Sequence, residues 1–185
     1  MTAAARPLYR TAGVNGKPHL TFDGIDDSLA SAAFSLPAEY TVFAVARASD
    51  TTAIHGLVNA DDTSGTRQLQ FRFNGTVAEL ITFNAANGVV ADATSATPTS
   101  YTVLAGVARA LDCEIYSNGS SNGLSSRTAG AAKTSPLRLG HAAVGGGGFL
   151  NGAQAEVLFY GRALTTAERN QVTSYLGSKY GITVV

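Results

Sequence analysis

Tryptophan is missing from this 185-residue chain, cysteine and methionine occur once each, and only 14% of the residues are charged. The lone Cys113 excludes an intrachain disulfide framework and any cysteine-rich metal site, and its strand-like surroundings mark it as a core thiol. Thirteen basic and thirteen acidic residues cancel to zero formal charge. Nothing in that balance draws the protein to nucleic acid or to an anionic membrane. No apolar run approaches the roughly 20 residues that a membrane span requires. The opening Met1-Thr2-Ala3-Ala4-Ala5-Arg6 lacks an apolar signal core, so no secretory leader is expected in it.

What the chain does have is 45% hydrophobic residues, enough for one domain with a real core. Its weakly charged Ala/Gly/Ser/Thr-rich surface is of a kind that often packs against something. The last third organises the rest. Ala153 to Tyr160 is an almost unbroken apolar run with β-formers Val157, Phe159 and Tyr160, which predicts a strand. Thr165-Thr166-Ala167-Glu168 has the spacing of a capping box, and Val172, Tyr175, Leu176 and Lys179 form one helical stripe. Gly181 supplies the left-handed residue that ends helices. A single helix thus closes an otherwise all-β chain, and it needs a sheet to cover.

Upstream, residues 1–16 read as an extended arm, broken by Pro7 and the Gly13–Gly16 region. His19–Phe22 alternates as a half-buried strand, and with Ser28–Ala30 it predicts a hairpin around Asp23–Asp27. Tyr40–Ala48 is apolar on both faces, the mark of a central strand covered on two sides. Strands are expected at 54–60, 67–73, 77–83, 89–93, 101–108 and 113–117, with Asn74-Gly75 as a hairpin turn. Ser120–Thr134 reads as a low-complexity loop, Leu137–Gly140 starts the last β region, and Gly145–Gly148 is a flexible break. About a dozen short strands argue for an all-β fold, two packed antiparallel sheets of jelly-roll type with one C-terminal helix, spanning 17–185.

Three segments carry a family likeness: Asn15–Leu29 (NGKPHLTFDGIDDSL), Leu36–Ala48 (LPAEYTVFAVARA) and Leu137–Ile182 with its closing hairpin and helix. Together they resemble the concanavalin A-like, laminin G-like jelly-roll superfamily, in the form found in phage and bacterial surface proteins. The middle of the chain, 51–134, matches only in strand rhythm. Domains of this kind often carry a further strand before the Arg6-Pro7 position; a chain without it leaves a sheet edge for a neighbour to pair with.

The superfamily includes β-glucanases whose acids lie on one strand as E-x-D-x-x-E. Here Glu79, Glu114 and Glu156 have no acidic partner at i+2 or i+4, so no catalytic residue is expected and Glu156 reads as a structural acid. His19, His55 and His141 lie in no nucleophile-elbow context and read as surface or hydrogen-bonded histidines. Asp23, Asp26 and Asp27 are ordinary turn chemistry or calcium ligands, with Asp26 and Asp27 the better placed; the resemblance implies calcium through such loop carboxylates. Asp61–Gly65 is a weaker loop of the same kind. Without tryptophan, stacking on a sugar ring falls to Tyr9 and Tyr116.

The expectation is a non-enzymatic module of a surface assembly, a phage virion decoration or tail-associated protein at the virion surface or outside the cell. It would be a homo-oligomer whose N-terminal arm docks on neighbouring capsid or tail subunits. The alternative is a carbohydrate-binding, lectin-like module that uses cell-surface glycan and calcium.

Overall fold

In the computed structural model, residues 5–61, 67–83, 89–128, 132–142 and 148–185 are described. The first strands are β1 (Leu8–Arg10), β2 (His19–Asp23), β3 (Leu29–Ala30), β4 (Phe34–Leu36) and β5 (Tyr40–Ala48). Next come β6 (Ile54–Asp61), β7 (Arg67–Asn74), β8 (Val77–Phe83), β9 (Val89–Ala96) and β10 (Thr102–Ala108). The chain ends with β11 (Asp112–Ser117), β12 (Ser120–Ser126), β13 (Lys133–Ser135), β14 (Leu137–Leu139), β15 (Asn151–Tyr160) and helix α1 (Thr166–Tyr180). A seven-stranded antiparallel sheet, β1-β2-β15-β5-β10-β11-β12, packs on a six-stranded one, β3-β14-β6-β7-β8-β9, with a small β13-β4 pair beside them. This is the jelly-roll sandwich with one terminal helix that the strand rhythm predicts.

The two-faced pattern of β5 explains the layering. Val42, Ala44 and Ala46 point into the core between the sheets, with Phe22, Leu69, Phe71, Phe73, Leu80 and Cys113. Phe43 and Val45 point the other way, into a second core with Val103, Val107, Leu176 and Tyr180 beneath α1. Each fully buried Leu or Phe in either layer contributes about 1.5–3 kcal/mol. Three layers result: six-stranded sheet, seven-stranded sheet, helix.

The helix begins as its sequence demands. The Thr165 hydroxyl accepts from the Glu168 N–H while the Glu168 side chain accepts from the Thr165 N–H, and Arg162 grips the same carboxylate at 2.7 Å. Gly181 at φ 65° closes it. The buried face is Arg169, Thr173, Leu176, Gly177 and Tyr180; of the stripe read from sequence Leu176 is buried and Val172 packs against the same core, whereas Tyr175 is 53% exposed. Gly177 sits inward because the returning tail, Ile182 to Val184, lies against it.

Four expectations change. β2 and β3 do not form a hairpin; they belong to different sheets, so residues 24–28 turn a corner between the layers. Ser120–Ser126 is an edge strand rather than a loop, paired with β11 across Asn118-Gly119, both at positive φ. Its polarity misled because an exposed edge needs no apolar face. Within the expected arm, Leu8–Arg10 pairs with β2 as the edge of the large sheet, and Asn15 in the following turn donates to the Lys179 carbonyl. β9 runs on to Ala96. Residues 1–4 of the arm, Asp62–Gly65 of the second acidic loop and Gly145–Gly147 lie outside the described residues.

Candidate functional site

The corner between the sheets gathers the first acidic loop. Gly24 at φ 79° makes the turn, the Ile25 N–H donates to Asp23 Oδ1 at 2.8 Å, and the Asp23 N–H donates to Asp27 Oδ2 at 3.0 Å. One carboxylate oxygen from each of Asp23, Asp26 and Asp27 lies within 4.8 Å of the others. Asp27 is buried. Burial pushes its carboxyl above the ordinary value; the Asp23 N–H pulls it back, and the charges of Asp23 and Asp26 add to the rise. The donor set is all oxygen, the kind that calcium takes, and it offers three carboxylates toward the six to eight oxygens calcium needs. Backbone carbonyls or water would complete it.

Beside that corner stands a hydrogen-bonded staple that the sequence did not announce. Asn151 is paired with Asp23 across β15 and β2, and its Nδ2 donates to Asp50 Oδ2 at 2.7 Å. Asp50 Oδ1 accepts from the Thr52 N–H and hydroxyl and faces His55 Nε2 at 3.0 Å. Nδ1 of the buried His55 faces the Phe149 carbonyl at 2.9 Å. The imidazole beside it, with the Thr52 and Asn151 donors, holds the Asp50 carboxyl well below the usual carboxylate range. Ring and carboxylate are used up in joining the 49–52 and 148–151 segments, which fits the reading of His55 as a hydrogen-bonded histidine. Only the spatial meeting of Asp50, His55 and Asn151 reveals the unit; in sequence they are 5 and 96 residues apart.

The three strand glutamates are committed. Glu79 accepts from Arg72 Nε at 2.7 Å and Asn74 Nδ2 at 3.0 Å. Glu114 accepts from Ser121, Arg109 and the Tyr116 hydroxyl. Glu156 accepts from Lys179 Nζ at 2.9 Å. Glu79 sits in the six-stranded sheet, whereas Glu114 on β11 and Glu156 on β15 are separated by β10 and β5. Three strand spacings are about 14 Å, more than either glycosidase arrangement of paired carboxyls spans.

The two tyrosines part company. Tyr116, expected at the surface, is only 4% exposed and lies under the Arg169 guanidinium, 3.8 Å from its ring centre. The closing helix covers it, which local sequence around Tyr116 cannot show. Tyr9 is 61% exposed on β1. It flanks a cavity of about 200 Å³ lined also by Pro18, His19, Leu139 and Val157. A second cavity of about 330 Å³ shares Leu139 and Val157 and adds Leu29, Leu137 and Phe159. Together they make one apolar groove along the mouth of the sandwich.

Two antiparallel sheets, a helix on the outer face and a rim of polar loops define a lectin-like jelly roll. Residues 18–168 match the model of the concanavalin A-like lectin/glucanases superfamily, and the chain belongs to it. No curated protein sequence matches it. Among solved structures it is similar to the native heptameric SAP-like pentraxin of Limulus polyphemus, at TM-score 0.66 and 15% identity over 83% of this chain and 80% of that one. It is also similar to the CBM40 of a Ruminococcus gnavus IT-sialidase, bound to α2,3 sialyllactose, at TM-score 0.58 and 12% identity over 78% and 98%. A third is the binding domain of Paraclostridial Mosquitocidal Protein 1, at TM-score 0.69 and 13% identity over 91% of this chain. The chain spans 46% of that binding domain. At these identities the likeness is one of fold.

Proposed function

We propose that the protein is a non-enzymatic binding module of a surface assembly, in the finer reading a decoration or tail-associated protein of a phage virion. The observation that carries this is the apolar groove beside β15, on a fold whose three strand glutamates, Glu79, Glu114 and Glu156, are spent on ion pairs and hydrogen bonds. Support of a weaker kind comes from the neighbours in fold: a heptamer, a glycan-bound module and the binding domain of a mosquitocidal protein. The assembly would be closed and multimeric, at the virion surface or outside the cell. Antibody labelling in electron micrographs tests it. Label on the outside of particles or envelopes supports the reading, and label confined to the cell interior sinks it.

The second reading is a lectin-like module that binds cell-surface glycan with calcium. The convergence of Asp23, Asp26 and Asp27 favours it, with Asp26 and Asp27 as the ligands and the exposed Tyr9 as a stacking surface. A glycan array read with calcium and with chelator decides this; silence in both removes it.

A further inference from the structure

The ten-residue strand β15 is flanked on both sides for only half its length. Asn151–Gln154 pairs with β2 on one side and β5 on the other. At Ala155 the register to β5 shifts, and from Glu156 to Tyr160 β15 keeps β5 alone. β2 starts at His19, level with Arg10 of β1, and the chain before it leaves the sheet at Pro18 toward the helix, where Asn15 meets the Lys179 carbonyl. Among the described residues no strand takes the vacated lane. In an antiparallel pair, alternate residues turn their N–H and C=O groups away from the partner, so Glu156–Tyr160 presents a short row of unused backbone donors and acceptors.

The side chains on this half-strand sharpen the picture. Val157 and Phe159 point between the sheets and are only partly covered, as are Leu137 and Leu139 opposite them. Leu29, Leu137, Leu139, Val157 and Phe159 line the groove there, and none carries charge. The missing piece is therefore a strand: backbone to pair with β15, and apolar side chains at every second position to enter the slot. We propose that Glu156–Tyr160 is an acceptor edge for an extended, uncharged segment of a partner protein, about five residues long and apolar at alternate positions. This deepens the assembly reading and rests on it.

A second copy docking edge to edge fits less well. Five residues of strand reach about 17 Å, and their contact falls short of the roughly 800 Å² per partner that a stable pair of folded subunits buries. A lone segment lying in the groove is instead surrounded by the edge and both walls, the arrangement of strand addition.

The test tethers a strand to the full chain. Ala5 accepts from the Ser28 N–H, beside groove residue Leu29, so a Gly/Ser linker from the N-terminus starts close to the slot. One version carries Val-Thr-Val-Thr-Val; its control has proline at the central position. Tethering supplies about millimolar effective concentration, so even weak pairing is read. The valine version should melt at least about 2 °C above the control. Its amides at 156–160 should exchange about tenfold more slowly. Leu139→Ser should abolish both differences. Equal behaviour of the two versions overturns the proposal, as does protection appearing only at Leu8–Arg10. If the untethered chain already protects 156–160, a doubled mass assigns the edge to a second copy, and loss of protection on deleting residues 1–4 assigns it to the chain's own terminus; either overturns the proposal. Surface labelling of particles is read independently, so the assembly role can fail while the edge still takes a strand, and the reverse.

Discussion

Glu156 accepts from Lys179 at 2.9 Å, and that one ion pair joins the half-open strand to the helix that closes the chain. Lys179 also reaches the Tyr175 hydroxyl at 3.1 Å. The Glu156 carboxylate holds the ammonium above the ordinary lysine value, with Tyr175 adding to it. A raised cation stabilises the fold below its ordinary range, and the benefit is lost as pH climbs beyond it. Glu156→Gln should therefore cost about 1 kcal/mol at pH 7. The gap from the parent should narrow at strongly alkaline pH. Urea unfolding at the two pH values measures both.

Asp27 makes the opposite prediction. Burial and two neighbouring carboxylates raise its folded value, so the native state holds the proton more tightly than the unfolded chain. Stability then falls as pH rises through and above the ordinary carboxylate range. Asp27→Asn keeps an oxygen for the Asp23 N–H and removes the penalised charge. The variant should melt higher than the parent at pH 7 without metal, and the two should converge near pH 4. With millimolar calcium the parent should gain and the variant should not, if the corner takes the ion. A parent that melts no differently with calcium removes that role from Asp26 and Asp27.

Much of this was legible in the chain. The two-sided apolarity of Tyr40–Ala48 gave both cores, and the Thr165–Glu168 box gave the helix start, because local patterns dictate both. The sheet membership of β2 and β3 was not legible, since an Asp-Gly turn serves a hairpin and a corner equally. Nor was the burial of Tyr116, which depends on Arg169 more than fifty residues away. The acidic corner could be read because its three aspartates are near neighbours in sequence. The half-open strand could not, because nothing within Ala153–Tyr160 tells where β2 stops alongside it.

Two glycines should respond very differently to alanine. A Cβ on Gly56 would lie 2.0 Å from the His141 carbonyl carbon and 2.1 Å from the Ala142 nitrogen. Backbone cannot step aside as a side chain can, so Gly56→Ala should cost about 3 kcal/mol or more and lower the soluble yield. Gly16 has open space around it and only its φ of +68° to object. Gly16→Ala should cost about 1 kcal/mol. Thermal melts of the pair separate steric from conformational cost.

The Asp50 staple offers the last test. Removing its carboxylate strands four donors at once: the Thr52 N–H and hydroxyl, His55 Nε2 and Asn151 Nδ2. Asp50→Ala should lower the unfolding free energy by about 2 kcal/mol at pH 7. Its depressed carboxyl means that this stability is complete above the ordinary carboxylate range and is lost as pH falls well below it. Parent and variant should therefore draw together in strong acid. Because Asn151 sits opposite Asp23, the variant should also loosen the acidic corner, read as faster amide exchange at Ile25. A variant as stable as the parent at pH 7 would show that the segments it joins are held by packing alone.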